Sequence, residues 1–496
     1  MKPVPFLPDP AYNTRIETAN ALSGSSGVWG IGVWGTFIWG ASNPSSVKDA
    51  RLVNCMIVVE GGKRYIVKRP GLGVNSTPAS GSVGNAIMVW AGQGSGTKVI
   101  SAFGSTNSTI YDGTSSLGTI TGKATGIEQL DVVGTPTLFI TSSDNTAWLY
   151  DTTNGLVKVS DGDYPGNAGE TVVGVGKALN GYVSVLTQSG KIYSSDLNSG
   201  SSWTSTSFDS TNDQPDNGVG LARWRAYIAA FGTNSVEFWK VAGNAVGSPL
   251  SRVQSMTQKV GAISADCIAD ISDFLFFVGS TEKGGLQVLQ YDGGITPISN
   301  PEINNQLMLA GPNNISIATA RFYGRSFVLV TASSSTFTYC LEEKRWHEWS
   351  GSANLWYKFA GLSSGSNVLT YAISKTSTSG KVYLINPANF VFTDDGQPFT
   401  ASVQTDKMSA GGHDMFFVDV YVDYDRQSTS STLTLSASDD DYQTFSTVTT
   451  WDMSNRPQRR VRIGSSPERA WKLTNSDATP MRLRYDTSVM NIGTGA

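Results

Sequence analysis

Short uninterrupted apolar runs alternate along this chain with clusters of Gly, Ser, Thr and Asn, and helical periodicity is hard to find anywhere. The runs come in pairs. YIAAFGTNSVEFW (227–239) is an apolar run, a small polar turn and a second run ending in aromatics, which predicts a β-hairpin. The unit recurs as VISAFGSTNSTIYDG (99–113), LFITSSDNTAWLYD (138–151), YVSVLTQSGKIYSSD (182–196), FLFFVGSTEKGGLQVLQYDG (274–293), FVLVTASSSTFTYC (327–340) and LTYAISKTSTSGKVYLI (369–385). The second-strand aromatics are Tyr111, Tyr150, Tyr193, Phe238, Tyr291, Tyr339 and Tyr383, spaced at roughly 40–50 residues.

A single hairpin cannot cover both of its faces. The first strands, such as YIAAF and FLFFV, are apolar at every position, which suits a strand sandwiched between neighbours. The second strands, such as STFTY, alternate and are expected nearer solvent. Hairpins stacked side by side shield one another, and closing the stack into a ring removes its two open ends. The predicted fold is therefore all-β: a β-propeller of six to eight blades, six or seven preferred, rather than a long sandwich with accidental spacing. The chain divides into a Pro/Gly/Trp-rich arm (1–45), the propeller (46–395) and a C-terminal β-sandwich domain (396–496). In the last, FFVDVYVDY (416–424) and TLTLSASDDDYQTFSTV (432–448) alternate like half-exposed antiparallel strands.

Composition agrees with this picture and narrows the chemistry. Among 496 residues there are 53 Gly and only 15% charged side chains, a β-rich texture. A net charge of −4 argues against a global electrostatic grip on nucleic acid, and would let a polyanion slide past. Cys55, Cys267 and Cys340 are too few and too scattered for a disulfide framework or a zinc site, and suit buried thiols in a reducing compartment. The N-terminus shows no signal peptide, and no apolar segment is long enough for a membrane helix. No nucleophile elbow, P-loop or metalloprotease motif is present, so catalytic, cofactor and metal residues are all expected to be absent.

Four features could still carry function. VWGIGVWGTFIWG (28–40) spaces Trp29, Trp34 and Trp39 five apart, which fits neither a helix nor a strand face. It reads as a hairpin packed on its own chain or as an aromatic arm inserted into a neighbour. Arg456, Arg459, Arg460, Arg462, Arg469, Lys472, Arg482 and Arg484 make the last strands basic, after an acidic stretch holding Asp423, Asp425, Asp439, Asp440 and Asp441. Internal ion pairing and a charge-complementary contact are both open; Arg456, Arg459, Arg460 and Arg462 are candidate subunit or partner contacts, as are the three tryptophans. SASDDDYQTF (436–445) resembles the Asp-box hairpin, with Ser438, Asp440, Thr444 and Phe445 in place and Tyr442 where Gly is usual, a turn brace. EEKRWHEWSG (342–351) sets His347 beside Glu348, but at strand spacing the two point to opposite faces, so packing is expected.

Several longer stretches resemble one family. LVNCMIVVEGGKRYIVKRPGL (52–72) is similar to the opening shared by tail proteins of short-tailed bacteriophages. VGLARWRAYIAAFGTNSVEFWKVAG (219–243), followed by MTQKVGAISADCIADISDFLFFVG (256–279), is similar to the centre of their packaged-DNA stabilisation proteins. YCLEEKRWHEWSG and the SASDDDYQTF…RRVRIG…KLTNSDATPMRL tail extend the resemblance over most of 50–492. It implies a non-enzymatic tail hub or nozzle: a hexameric ring below the portal and its adaptor. That ring closes the DNA channel, retains the packaged genome and anchors tail spikes, fibres or a needle. It also implies a virion tail protein made in the host bacterial cytoplasm, without membrane anchoring. The alternative is a carbohydrate-active or carbohydrate-binding propeller, for which Arg223, Arg225, Arg252, Arg321 and Arg325 would converge on one face.

Overall fold

The structure is a computed structural model that describes residues 4–5, 50–90, 97–130, 136–211, 216–244, 246–281, 284–351, 356–364, 367–409 and 413–494. It divides into two compact units. One comprises Leu72–Glu342 and Gly351–Asn389; the other comprises Met1–Gly71, Glu343–Ser350 and Phe390–Ala496.

The first unit is a β-propeller. All seven hairpins read from the sequence form, and each is the middle pair of a blade. In blade four, for example, Tyr227–Gly232 and Val236–Val241 are flanked by an inner strand, Gly218–Trp224, and an outer one, Leu250–Arg252. The inner strands of blades one to seven are Gly84–Trp90, Ala124–Leu130, Val172–Leu179, Gly218–Trp224, Ile268–Ile271, Ile315–Phe322 and Lys358–Ser364. Each lies against the next, and the seventh lies against the first, so the ring is closed. Among the described residues there are thus seven blades, the sixth giving three strands to this unit.

Closure uses a clasp. The outermost strand of blade seven is Gly73–Ser76 from the start of the unit, paired antiparallel with Val382–Ile385 from its end. The two ends of the unit hold each other, so the ring opens only if this ladder breaks.

The second strands of the blades are buried on both faces, as their composition requires; Thr137–Ser142 is buried at every position. The third strands differ from expectation. The alternating STFTY segment is buried almost throughout. Blade packing extends past the third strand; of its polar positions, Thr336 is paired, its hydroxyl 3.1 Å from that of Thr331 in the interior, while the buried Thr338 hydroxyl has no partner among the described residues. The outer strands reach solvent, as in Gly155–Lys158.

Near the axis the inner strands crowd one another, and glycine makes room. A Cβ on Gly126 would strike Val175 of the next blade, and Gly174 takes a φ of 69° while facing Gly220 of the blade after. One α-helix, Pro301–Ala310, breaks the expectation of no helix among the described residues. Its start is signalled by Asn300, whose side chain accepts the Ile303 N–H at 2.9 Å, followed by Pro301, and its end by Gly311 at a φ of 73°.

The second unit has three main sheets around one core, besides the short Thr393–Asp394 and Gln397–Pro398 pair. Val4–Pro5, Val489–Thr494, Met415–Tyr421, Arg460–Val461 and Ser465–Ser466 form one; Cys55–Glu60, Lys63–Lys68 and Arg482–Arg484 another. The third carries Arg51–Val53, Ala401–Gln404, Glu468–Asn475, Thr432–Ser438 and Ser446–Asp452 in ladder order. Cys55, Ile66, Phe417, Leu435, Trp451, Trp471 and Leu483 meet in the core. The unit boundary differs from the expected one. Residues 50–71 pair with the C-terminal strands, because the apolar faces of Cys55–Glu60 and Lys63–Lys68 complete this core.

Candidate contact surfaces and the central channel

The KRPGL stretch that opens the family resemblance turns out to be a buried polar hub. Arg69 and Asp394 have 0% and 2% of their side-chain surfaces exposed and form a two-pronged ion pair, with Nη1–Oδ1 at 3.0 Å and Nη2–Oδ2 at 2.5 Å. The remaining Arg69 N–H groups go to the Asn54 side chain (2.8 Å), the Pro70 carbonyl (3.0 Å) and the Ser350 carbonyl (2.8 Å). The guanidinium also lies 3.8 Å from the Phe399 ring centre. Gly71 follows because any Cβ there would collide with the Thr393 backbone.

Lys68 is equally buried, donating to Asn475 Oδ1 at 3.1 Å and to the Asp477 carbonyl at 2.6 Å. Burial pushes its pKa down to about 8, and pushes the thiol of its ladder partner Cys55 up to about 12. The signs then oppose. The folded Lys68 releases its proton before the unfolded chain does, so stability rises with pH from 8. The folded Cys55 holds its proton longer than the unfolded thiol, so stability falls from pH 9 upward. Relative to Lys68→Met, the native chain is expected to gain up to about 1 kcal/mol between pH 8 and 9. Urea titrations of both proteins at those two pH values measure it; a difference that does not change with pH refutes it.

The four candidate arginines separate into two kinds. Arg459 pairs with Asp419 at 2.6 Å, and Asn491 donates to the same carboxylate at 2.9 Å. Arg460 lies over Trp451 and donates to the Thr450 carbonyl at 2.9 Å. Arg456 and Arg462 are exposed, and neither side chain has a hydrogen-bond or ion-pair partner among the described residues. Elsewhere the basic and acidic segments pair internally. Arg482 and Arg484 converge on Asp425 at 2.5 and 2.9 Å, and Arg469 meets Asp439 at 2.6 Å. Trp29, Trp34 and Trp39 lie outside the described residues.

The Asp-box is a brace. Asp440 accepts from the Ser438 hydroxyl at 2.7 Å and from the Thr444 N–H at 2.9 Å, and the bonds from Thr444 hold its pKa low. Tyr442, at the position usually held by Gly, has a φ of 68° and buries its ring. His347 is buried, and Glu348 pairs with Arg51 on the other side of the strand. Of the candidate sugar-gripping arginines, Arg223 donates to the Arg225 carbonyl, and Arg225 and Arg321 both reach the 272–273 turn, whereas Arg252 stands on an outer strand. Arg252 pairs with buried Glu237 at 3.4 Å, while Arg225 is held by Asp273 and Asp292 and Arg321 donates to Ser272.

A charged cluster not signalled by any motif occupies the propeller axis. Lys177 of blade three bonds Glu128 of blade two at 3.2 Å. Lys358 at the start of blade seven lies 3.4 Å from Asp266, before blade five, and 3.5 Å from the Thr125 carbonyl of blade two. Asp266 also takes Lys375 at 2.7 Å and the Tyr357 hydroxyl at 2.9 Å. Burial opposes its charge, but the two lysines win and hold its pKa far below the carboxylate range. A channel spanned by one lysine that bonds blades on either side of it cannot pass a duplex. Among the described residues, no three His, Cys, Asp or Glu side chains are grouped to hold a metal, and no helix is long and apolar enough to cross a membrane.

Comparison with curated proteins finds no match. Among solved structures, the chain is similar to BamB from Moraxella catarrhalis, with 13% identity over 63% of this chain and 99% of that one, at a TM-score of 0.35. The computationally designed Ika8 protein gives 12% identity, 63% and 99% coverage and a TM-score of 0.33. Raptor from Chaetomium thermophilum gives 10%, 64% and 28% coverage and a TM-score of 0.40. The sequence model of the family described as Bacteriophage P22 Gp10, beta-propeller, matches residues 52–358, more than half of the chain. The closed ring of blades and that match agree: the chain belongs to this family and is a structural protein of a phage.

Proposed function

We propose that this protein forms a hexameric hub or nozzle ring in the tail of a short-tailed phage, below the portal and its adaptor. The ring closes the DNA channel, retains the packaged genome until ejection, and anchors a spike, fibre or needle. Its chemistry is that of shape and multiplicity rather than catalysis, and it is made in the host cytoplasm before joining the virion. The observation that carries this reading, beyond family membership, is the blocked propeller axis. Lys358 reaches Asp266 and the Thr125 carbonyl across the axis of a single subunit, which supports a conduit lying between copies arranged about a symmetry axis. A net charge of −4 keeps such a lumen from trapping its cargo. Arg456 and Arg462, exposed and with unpaired side chains among the described residues, offer charge for contacts with a neighbour or with the adaptor.

Sedimentation velocity at micromolar concentration, with and without a portal–adaptor complex, tests the reading. A ring is expected at least on the template. A monomer under both conditions overturns it.

A further inference from the structure

On one face of the propeller, the turns that join the first and second strands of blades four, five and six carry side chains that turn geometry does not ask for. Each turn has two residues: Arg225–Ala226 between Trp224 and Tyr227, Ser272–Asp273 between Ile271 and Phe274, and Tyr323–Gly324 between Phe322 and Arg325. A two-residue hairpin turn calls for a positive φ at its first corner, which Asn and Gly adopt with least strain. Blade three follows that rule with Asn180–Gly181. Blades four to six hold Arg225, Ser272 and Tyr323 at this corner, with φ of 54°, 55° and 52°. The conformation is uncommon for a long side chain, and strain of this kind gathers where side chains are placed for use.

The side chains converge on the blade-five turn. Arg225 reaches forward from blade four to Asp273 at 3.6 Å and Asp292 at 3.4 Å, and Arg321 reaches back from blade six to the Ser272 hydroxyl at 2.9 Å. Beneath them the Trp224 indole donates to the Asp273 carbonyl at 2.7 Å, and its ring centre lies 4.6 Å from the Arg225 guanidinium. The turn and one guanidinium are thereby fixed in place. The cations are not used up. Arg225 keeps 48% of its side chain exposed with only long ion pairs, and exposed Arg223 and Arg321 have no carboxylate partner among the described residues.

We propose that this turn cluster is a binding site for an acidic carbohydrate, held through a sugar carboxylate. Guanidinium forks match a planar carboxylate. Asp273 and Asp292, 69% and 47% exposed, accept from sugar hydroxyls and repel the dense charge of a nucleic-acid backbone. No large apolar side chain is exposed among residues 223–227, 270–274 or 321–325, so the site lacks the anchor that a protein partner uses. The site goes beyond the tail-hub reading and does not depend on ring formation.

The test presents the full chain with an array of oligosaccharides bearing uronate or sialate carboxyls, each beside its carboxyl-reduced form. Binding of one or more acidic members is expected, weakened about tenfold or more by carboxyl reduction. Arg225→Asn, which suits the left-handed corner, and Arg321→Gln are each expected to lower that affinity at least about fivefold with the urea midpoint unchanged. Arg462→Gln removes the same charge from the other unit and is expected to leave binding as it was. No bound acidic glycan, equal affinity for a reduced form, or parental binding by both turn variants overturns the proposal. So does an equal loss in Arg462→Gln, or tighter binding of duplex DNA or of an acidic peptide. Failure of ring assembly in sedimentation bears on the functional reading and leaves this result standing.

Discussion

Asp394→Ala is expected to destabilise the unit built from residues 50–71, 343–350 and 390–494 by about 3–5 kcal/mol, the usual consequence of stripping one partner from a buried ion pair. Arg69 would keep its charge, with 0% of its side chain exposed, and would lose the two bonds at 3.0 and 2.5 Å that balance it. The hydrogen bonds to Asn54, Pro70 and Ser350 satisfy dipoles but cannot replace a carboxylate. Denaturant unfolding measures the loss, and amide hydrogen exchange locates it, with protection falling in Cys55–Glu60 and Glu468–Asn475 before the blades. A double variant, Arg69→Met with Asp394→Leu, is expected to recover much of the stability, since it removes the stranded charge together with its partner. A single-variant loss under 1 kcal/mol would show that the pair does not organise this unit.

Phe238→Ala is expected to cost the propeller a comparable amount, about 3–5 kcal/mol. Its ring is fully buried and stacks on Tyr291 of the next blade at a centroid distance of 4.6 Å, with Trp224 edge-on at 5.7 Å. The deletion opens a cavity between two blades, where rigid ladders on both sides prevent collapse. Tyr111→Ala, at the equivalent place in blade one, is the comparison. Tyr111 is only partly buried and meets Phe103 edge-on at 6.2 Å, so its loss is expected to cost about 1–2 kcal/mol. Equal losses at the two positions would mean that inter-blade stacking adds nothing to the aromatic repeat.

That contrast shows how far the repeat could be read. Hairpin spacing located every blade, because a strand covered on both faces needs apolar residues at every position and a tight turn needs Gly, Ser or Asn. It could not rank the aromatics, since their burial depends on which blade lies opposite. The inner strands left no comparable signal: GVGLARW and VVGVGKAL are broken by the glycines that let backbones approach near the axis. The axial lysines and acids were invisible for a related reason. Glu128 and Lys177 meet because consecutive blades stack, while Asp266 and Lys358, on blades that are not neighbours, meet across the ring.

The basic C-terminal segment read as a single feature, yet the structure sorts its members one by one. Arg469, Arg482 and Arg484 are consumed by acids of the preceding stretch, whereas Arg456 and Arg462 are left to solvent. Charge counting gives the balance of a segment; which pairs form depends on strand register, a long-range property.

By itself the sequence determined the all-β class, the seven hairpins and their period, because these follow from local turn chemistry and from the apolar content of individual strands. Only the tertiary structure decided that residues 50–71 leave the ring for the other unit, that Gly73–Ser76 clasps the ring shut, and that the axis is blocked. Each of those joins segments far apart in sequence, and their pairing is fixed by which apolar faces and buried charges complete one another, not by any local preference.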